Sequence, residues 1–106
     1  MRVNVGEVIA VGPGKIALLE ALVQTGSITA AAKSLDMSYR RAWLLIDELN
    51  GALKKPAVET AQGGAKGGGS RLTPEGEQLM ALYRAIEAEA LAHCAGQIKA
   101  LQRMLR

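Results

Sequence analysis

The sequence holds a single cysteine, a single histidine and no long apolar run, and each shortage excludes a class of function. Cys94 has no second thiol for an intramolecular disulfide and no thiolate cluster around it, a usage that fits a reducing compartment, by default the cytoplasm. His93 beside it makes half a metal site: adjacent residues on a helix point about 100° apart, and no other Cys or His exists to finish a coordination sphere. The same solitary histidine leaves a Ser-His-Asp or Cys-His arrangement without support. Val3 to Val11 is interrupted by Asn4, Gly6 and Glu7, which rules out a signal-peptide core or a membrane span there. "VGPGKI" and "GGAKGGGS" are rich in glycine, but a Walker phosphate loop needs a glycine and a hydroxyl where Ile9 and Ile16 stand. The expectation is a chain that is no enzyme, carries no metal or cofactor, and has no membrane partner.

At 106 residues the chain makes one domain with a modest core. Its formal net charge of +3 is mild, and the distribution says more than the total. Residues 1–26 are balanced, Arg2 and Lys15 against Glu7 and Glu20. So are residues 73–106, with Arg84, Lys99, Arg103 and Arg106 against Glu75, Glu77, Glu87 and Glu89. The whole excess lies from Ser27 to Leu72, where Lys33, Arg40, Arg41, Lys54, Lys55, Lys66 and Arg71 face Asp36, Asp47, Glu48 and Glu59.

The β-branched residues Val3, Val5 and Ile9, bounded by "GPG" at Gly12 to Gly14, predict one strand ending in a turn. Ile16, Leu19, Leu22 and Val23 then recur at helical spacing, and Gly26 closes this first helix. Ser27 caps a short alanine-rich second helix whose Ile28, Ala31, Ala32 and Leu35 share a face. "DM" turns the chain, and Ser38 caps a third helix with Ala42, Leu45, Ile46, Leu49 and Leu53 inward. "AVET" and "SRL" read as strands on either side of "QGGAKGGGS", a hairpin with a long glycine-rich tip. Thr73 and Pro74 open the last helix, in which Leu79, Leu82, Ile86, Ala90, Cys94, Ile98, Leu101 and Leu105 recur at steps of three and four. As one rod of roughly 34 residues it would reach about 50 Å, longer than so small a domain can cover. It implies a partner helix, most simply from a second copy, and Gly96 marks where it kinks or ends.

Helix, helix, turn, helix, hairpin is the order of a winged helix-turn-helix, whose third helix enters the DNA major groove with its first turn nearest the bases. That order gives "SYRRAW" a purpose. Arg40 and Arg41 suit bidentate contacts to guanine O6 and N7 or clamps on phosphates, and Ser38 and Tyr39 suit phosphate oxygens or a base edge. The sequence leaves those alternatives open. An Arg-Arg pair at a helix start is ordinarily a solvated face, and here the helix-turn-helix order tips the balance. Trp43 falls at the border of the inward stripe, where a lone tryptophan usually anchors a core or its edge. Ser27 and Thr29, at the start of the second helix, sit beside free backbone N–H groups suited to phosphate. Lys66 at the hairpin tip and Arg71 on the return strand would meet the backbone or minor groove. Lys54 and Lys55 follow a helix C-terminus, which favours cations without any ligand.

Together, "GSITAAAKSLDMSYRRAWLLIDELN" and "VETAQGGAKGGGSRLTPEGEQLMALY" resemble the N-terminal DNA-binding domain of the molybdate-dependent transcriptional regulator (ModE) family, from about Lys15 to Tyr83. The pairing of "SY..AW" with a "GG.KGGG" wing is more specific than a LysR-type helix-turn-helix alone. The resemblance implies a mainly α fold with a small β-hairpin wing, a winged helix-turn-helix followed by a long C-terminal dimerisation helix. It implies a homodimer on double-stranded DNA, at a palindromic operator. It places the recognition helix on Ser38, Tyr39, Arg40, Arg41 and Trp43, and the wing on Gly63, Gly64, Lys66, Gly67, Gly68 and Gly69. Dimer contacts fall on the last helix, with Leu79, Leu82, Ile86, Ala90, Ile98 and Leu101. The expected division is residues 1–72 for DNA binding and 73–106 for dimerisation. Members of that family continue into small oxyanion-binding domains, and no small-molecule effector site is expected within these residues. The competing expectation is a winged-helix adaptor that docks proteins without binding DNA.

Overall fold

The computed structural model describes residues 1–5, 8–60 and 69–106. Their elements run β1 (Val3–Val5), β2 (Val8–Val11), α1 (Pro13–Thr25), α2 (Ile28–Ser34), α3 (Tyr39–Ala52), β3 (Val58–Thr60), β4 (Ser70–Leu72), α4 (Pro74–His93) and α5 (Ala95–Met104). This is the mainly α winged helix-turn-helix expected, with two corrections.

The first is at the N-terminus, where the single predicted strand is a pair. β1 and β2 are antiparallel, Val3 opposite Val11 and Val5 opposite Val8, with an irregularity after Val3. A short strand alone leaves its backbone donors and acceptors unpaired, and folding back on itself satisfies one edge.

The second is at the C-terminus. The predicted single rod is two helices that meet at Cys94, whose φ of −103° and ψ of 16° leave the helical range. The backbone ladder still reaches the junction from both sides, since Cys94 N donates to Ala90 O and Cys94 O accepts from Ile98 N. The kink therefore falls two residues before Gly96. Beyond Tyr83 the described residues of the rod are exposed or half-buried, so packing does not hold the axis straight, and Ala95 and Gly96 bring little side chain to stiffen the turn.

The core is assembled from three helices and the edge of each hairpin. Ile16, Leu18, Leu19 and Leu22 of α1 meet Ile28, Ala31 and Ala32 of α2 and Ala42, Ile46 and Leu49 of α3. Ala10, Val11, Ala57, Val58 and Tyr83 close it. The alanines of α2 let the three helices come close, which is why a seven-residue element suffices there.

Local signals fix the ends. Gly26 takes the left-handed conformation at φ 79°, and its N–H returns to Leu22 O. Ser27 Oγ accepts from Ala30 N and Ser38 Oγ from Arg41 N, each at 3.1 Å. Between α2 and α3, Asp36 adopts φ 56°, a region that aspartate tolerates better than most residues. The first half of α4 is tied to the body. Tyr83 donates its hydroxyl to Met1 O at 2.5 Å, and Arg84 pairs with Glu20 of α1 and with Glu87. Those carboxylates raise the Arg84 pKa above its already high value, so the charge is fixed.

Candidate nucleic-acid interface

The first turn of α3 is built from a cap, two cations and an aromatic pair. Ala42, Ile46 and Leu49 are buried and anchor the helix by one face. The start of the helix is thereby left outward: Ser38, Tyr39, Arg40 and Arg41 are all exposed. Tyr39 is 52% exposed, and its ring meets Trp43 edge-on, with centroids 6.1 Å apart at 66°. Trp43 itself is half-buried and packs on the core, so it braces Tyr39 from beneath.

Electrostatics make the two arginines conspicuous. Cations at a helix N-terminus oppose the macrodipole by about 0.3 to 1 kcal/mol each. No acidic residue stands in the first turn of α3 to offset them, and among the described residues neither Arg40 nor Arg41 joins an ion pair. The residues four further on are Leu44 and Leu45, so no helical i,i+4 partner exists either. Helix stability does not explain this pair, and both exposed guanidinium groups are open to an external anion.

The other expected contacts are spread along the fold. Ser27 is half-buried with its hydroxyl engaged as a cap, and Thr29, the second residue of α2, is exposed. Lys66, Gly63, Gly64, Gly67 and Gly68 lie outside the described residues. Gly69 is exposed, and a Cβ there would come 3.3 Å from Gly26 O, so the returning limb of the wing runs beside the end of α1. Arg71 is exposed on β4 and faces Glu59 on β3 at 3.9 Å, a solvated pair that a phosphate can compete for. The wing leaves α3 at the end opposite Arg40. The helix is 14 residues long, about 20 Å along the axis.

Three residues at the wing root were not singled out by the sequence pattern as site residues. Asn50 Oδ1 accepts from Ala57 N at 2.9 Å and Val58 N at 3.3 Å, while its Nδ2 donates to Val58 O at 3.2 Å. Thr73, expected only as a cap, also donates Oγ1 to Pro56 O at 2.6 Å and its N–H to Ala57 O at 2.9 Å. Gly76 is buried where any Cβ would overlap Ala57 O and Leu72. One signal was available: Asn50 continues the inward row Ala42, Ile46, Asn50 at i+4 spacing, a polar residue on a buried line.

The stripe expected for dimerisation divides. Leu79 is half-buried on the core, Leu82, Ile86, Ala90 and Leu101 are exposed, and Ile98 is half-buried. Among the described residues no helix is long and apolar enough to cross a membrane.

Comparison with known proteins bears on this geometry. The profile for bacterial regulatory helix-turn-helix protein, lysR family, matches residues 14–77. "Molybdenum-pterin-binding protein MopB" of Rhodobacter capsulatus is 49% identical over 77 residues, 73% of this chain and 28% of that protein. "Molybdenum transport protein ModE" of Azotobacter vinelandii is 44% identical over 80 residues, 76% of this chain and 30% of the relative. "DNA-binding transcriptional dual regulator ModE" of Escherichia coli strain K12 is 42% identical over 71 residues, 67% and 27% of the two chains. The match spans less than a third of each relative's length.

Proposed function

The chain belongs to the bacterial regulatory helix-turn-helix family of the lysR type, and on that premise we propose that it is a sequence-specific, DNA-binding transcriptional regulator acting as a homodimer on a palindromic operator. The observation that carries this reading is the exposed Arg40 and Arg41, unpaired among the described residues, at the capped start of a helix whose rear is fastened into the core. Docked in a major groove, that turn brings two guanidinium forks to base edges or phosphates, with Tyr39 and Ser38 beside them. Free N–H groups at the starts of α2 and α3 add phosphate sites, next to Ser27 and Thr29. The wing contributes Lys66 and Arg71 to the flanking backbone. Two copies would face successive major grooves roughly 34 Å apart, joined through the apolar residues of α4 and α5.

No chemistry is assigned to the chain: it acts by occupancy. Selection of bound sequences from a random DNA pool, followed by anisotropy titration of the winner and a scrambled control, tests the reading. The expected result is an enriched inverted repeat and an affinity that falls about 10³-fold or more between about 50 and 200 mM salt. No enrichment, or an affinity indifferent to salt, overturns it.

A further inference from the structure

We propose that Asn50 is the positioning residue that sets the wing against the recognition helix, an inference that rests on the DNA-binding reading. Its carboxamide behaves like one residue of an added strand. It takes the N–H groups of Ala57 and Val58 on its oxygen and gives its own N–H to Val58 O, so both polarities of the β3 backbone are met by one side chain. Only an amide of this length both accepts and donates in that way. A carboxylate accepts without donating, and an alanine leaves all these backbone groups to find other partners.

The placement gives the clamp its meaning. Asn50 lies on α3 itself, ten residues after Arg40, so it links the base-facing end of that helix to the wing through a single rigid element. Val58 pairs with Leu72, and the next rung pairs Glu59 with Arg71. The clamped residue is therefore one rung from the wing's described cation. From the opposite side Thr73 holds Pro56 O and Ala57 O, so the wing root is gripped between α3 and α4. A wing free to pivot at Ala57 would lose its register on the phosphates, whereas the contacts of Arg40 and Arg41 would persist.

The experiment compares wild type, N50A, R71A and N50A/R71A, first confirming cooperative thermal unfolding of each. Binding to the selected site and to scrambled DNA is then titrated across salt. R71A is expected to reduce the magnitude of the salt slope by about one. N50A is expected to reduce it by at least as much, to weaken both DNAs by a similar factor of roughly tenfold, and to leave their ratio within about twofold. Adding R71A to N50A is expected to change little further. A folded N50A with the wild-type slope, or a double variant whose losses simply add, overturns the assignment. Should N50A not fold, amide exchange of Ala57 and Val58 in the DNA-free wild type decides: slow exchange of both supports the clamp, and exchange as fast as in an unprotected amide overturns it. A wild type that binds no DNA removes the functional reading and this inference together. A binding wild type with an insensitive N50A removes only the inference.

Discussion

Arg40 and Arg41 are placed where their own helix disfavours them, which separates stability from function in a measurable way. R40A and R41A are expected to leave thermal stability unchanged or raise it by a few tenths of a kcal/mol, because each removes a cation from a positive helix end. Each is expected to weaken binding to the selected site by roughly 1 to 3 kcal/mol if it reads a base, and to weaken all sequences alike if it holds a phosphate. Two stable variants with undiminished affinity would end the recognition-helix reading. Glycines supply a second contrast at this scale. A Cβ at Gly51, in the last turn of α3, meets nothing within 4 Å, so G51A is expected to stabilise by about 0.5 to 1 kcal/mol. At Gly76 the obstacle is the carbonyl of Ala57, backbone that cannot rotate away, and G76A is expected to destabilise by about 2 kcal/mol, near 10 °C in Tm. The two melting curves should move in opposite directions. The arginines were legible because capping and order announce the start of α3. Gly76 was not, because its constraint comes from a residue nineteen positions earlier, brought close only by the wing root.

Among elements, the helices were legible where a cap and a stop enclose them. Ser27, Ser38 and Thr73 each accept an N–H three residues ahead, and Gly26 closes α1 in the left-handed form that glycine favours. S38A tests the cap of the recognition helix: a loss of about 1 kcal/mol in chemical denaturation is expected, while S38D, which keeps an acceptor, should lose much less. S38D is nonetheless expected to bind DNA poorly, since it sets a carboxylate beside the phosphates. Equal stability in wild type and S38A would show that the Oγ contact carries no weight. The break at Cys94 was less legible because the apolar repeat runs straight across it: Ala90, Cys94, Ile98 and Leu101 keep helical spacing on both sides. Periodicity reports which residues share a stripe and says little about the axis, which packing sets. The N-terminal pair of strands hides for a related reason. Two residues separate β1 from β2, and only Gly6 signals a turn between β-branched runs that otherwise read as one.

The whole molecule measures 56 × 30 × 24 Å, too long to be covered by its own core. α5 buries no residue, and Leu82, Ile86, Leu91, Leu101 and Leu105 remain about half exposed or more. Singly, exposed aliphatic residues are ordinary; five along one extension make a surface that a second copy would cover. L101E, or L82E with I86E, is expected to convert a dimer to a monomer by sedimentation or light scattering while the helix-turn-helix stays folded, because these side chains lie outside the core. The consequence for DNA follows from effective concentration. In a dimer the second recognition helix is delivered to its half-site by the first, so the monomeric variant should lose about 10² to 10⁴ in affinity for the full inverted repeat. On an isolated half-site, where one copy of α3 and one wing do all the binding, the variant and wild type should differ little. A wild type that sediments as a monomer and treats half-site and full site alike would remove the palindrome from the proposal, and one that also ignores DNA would turn the long apolar extension into the docking face of an adaptor.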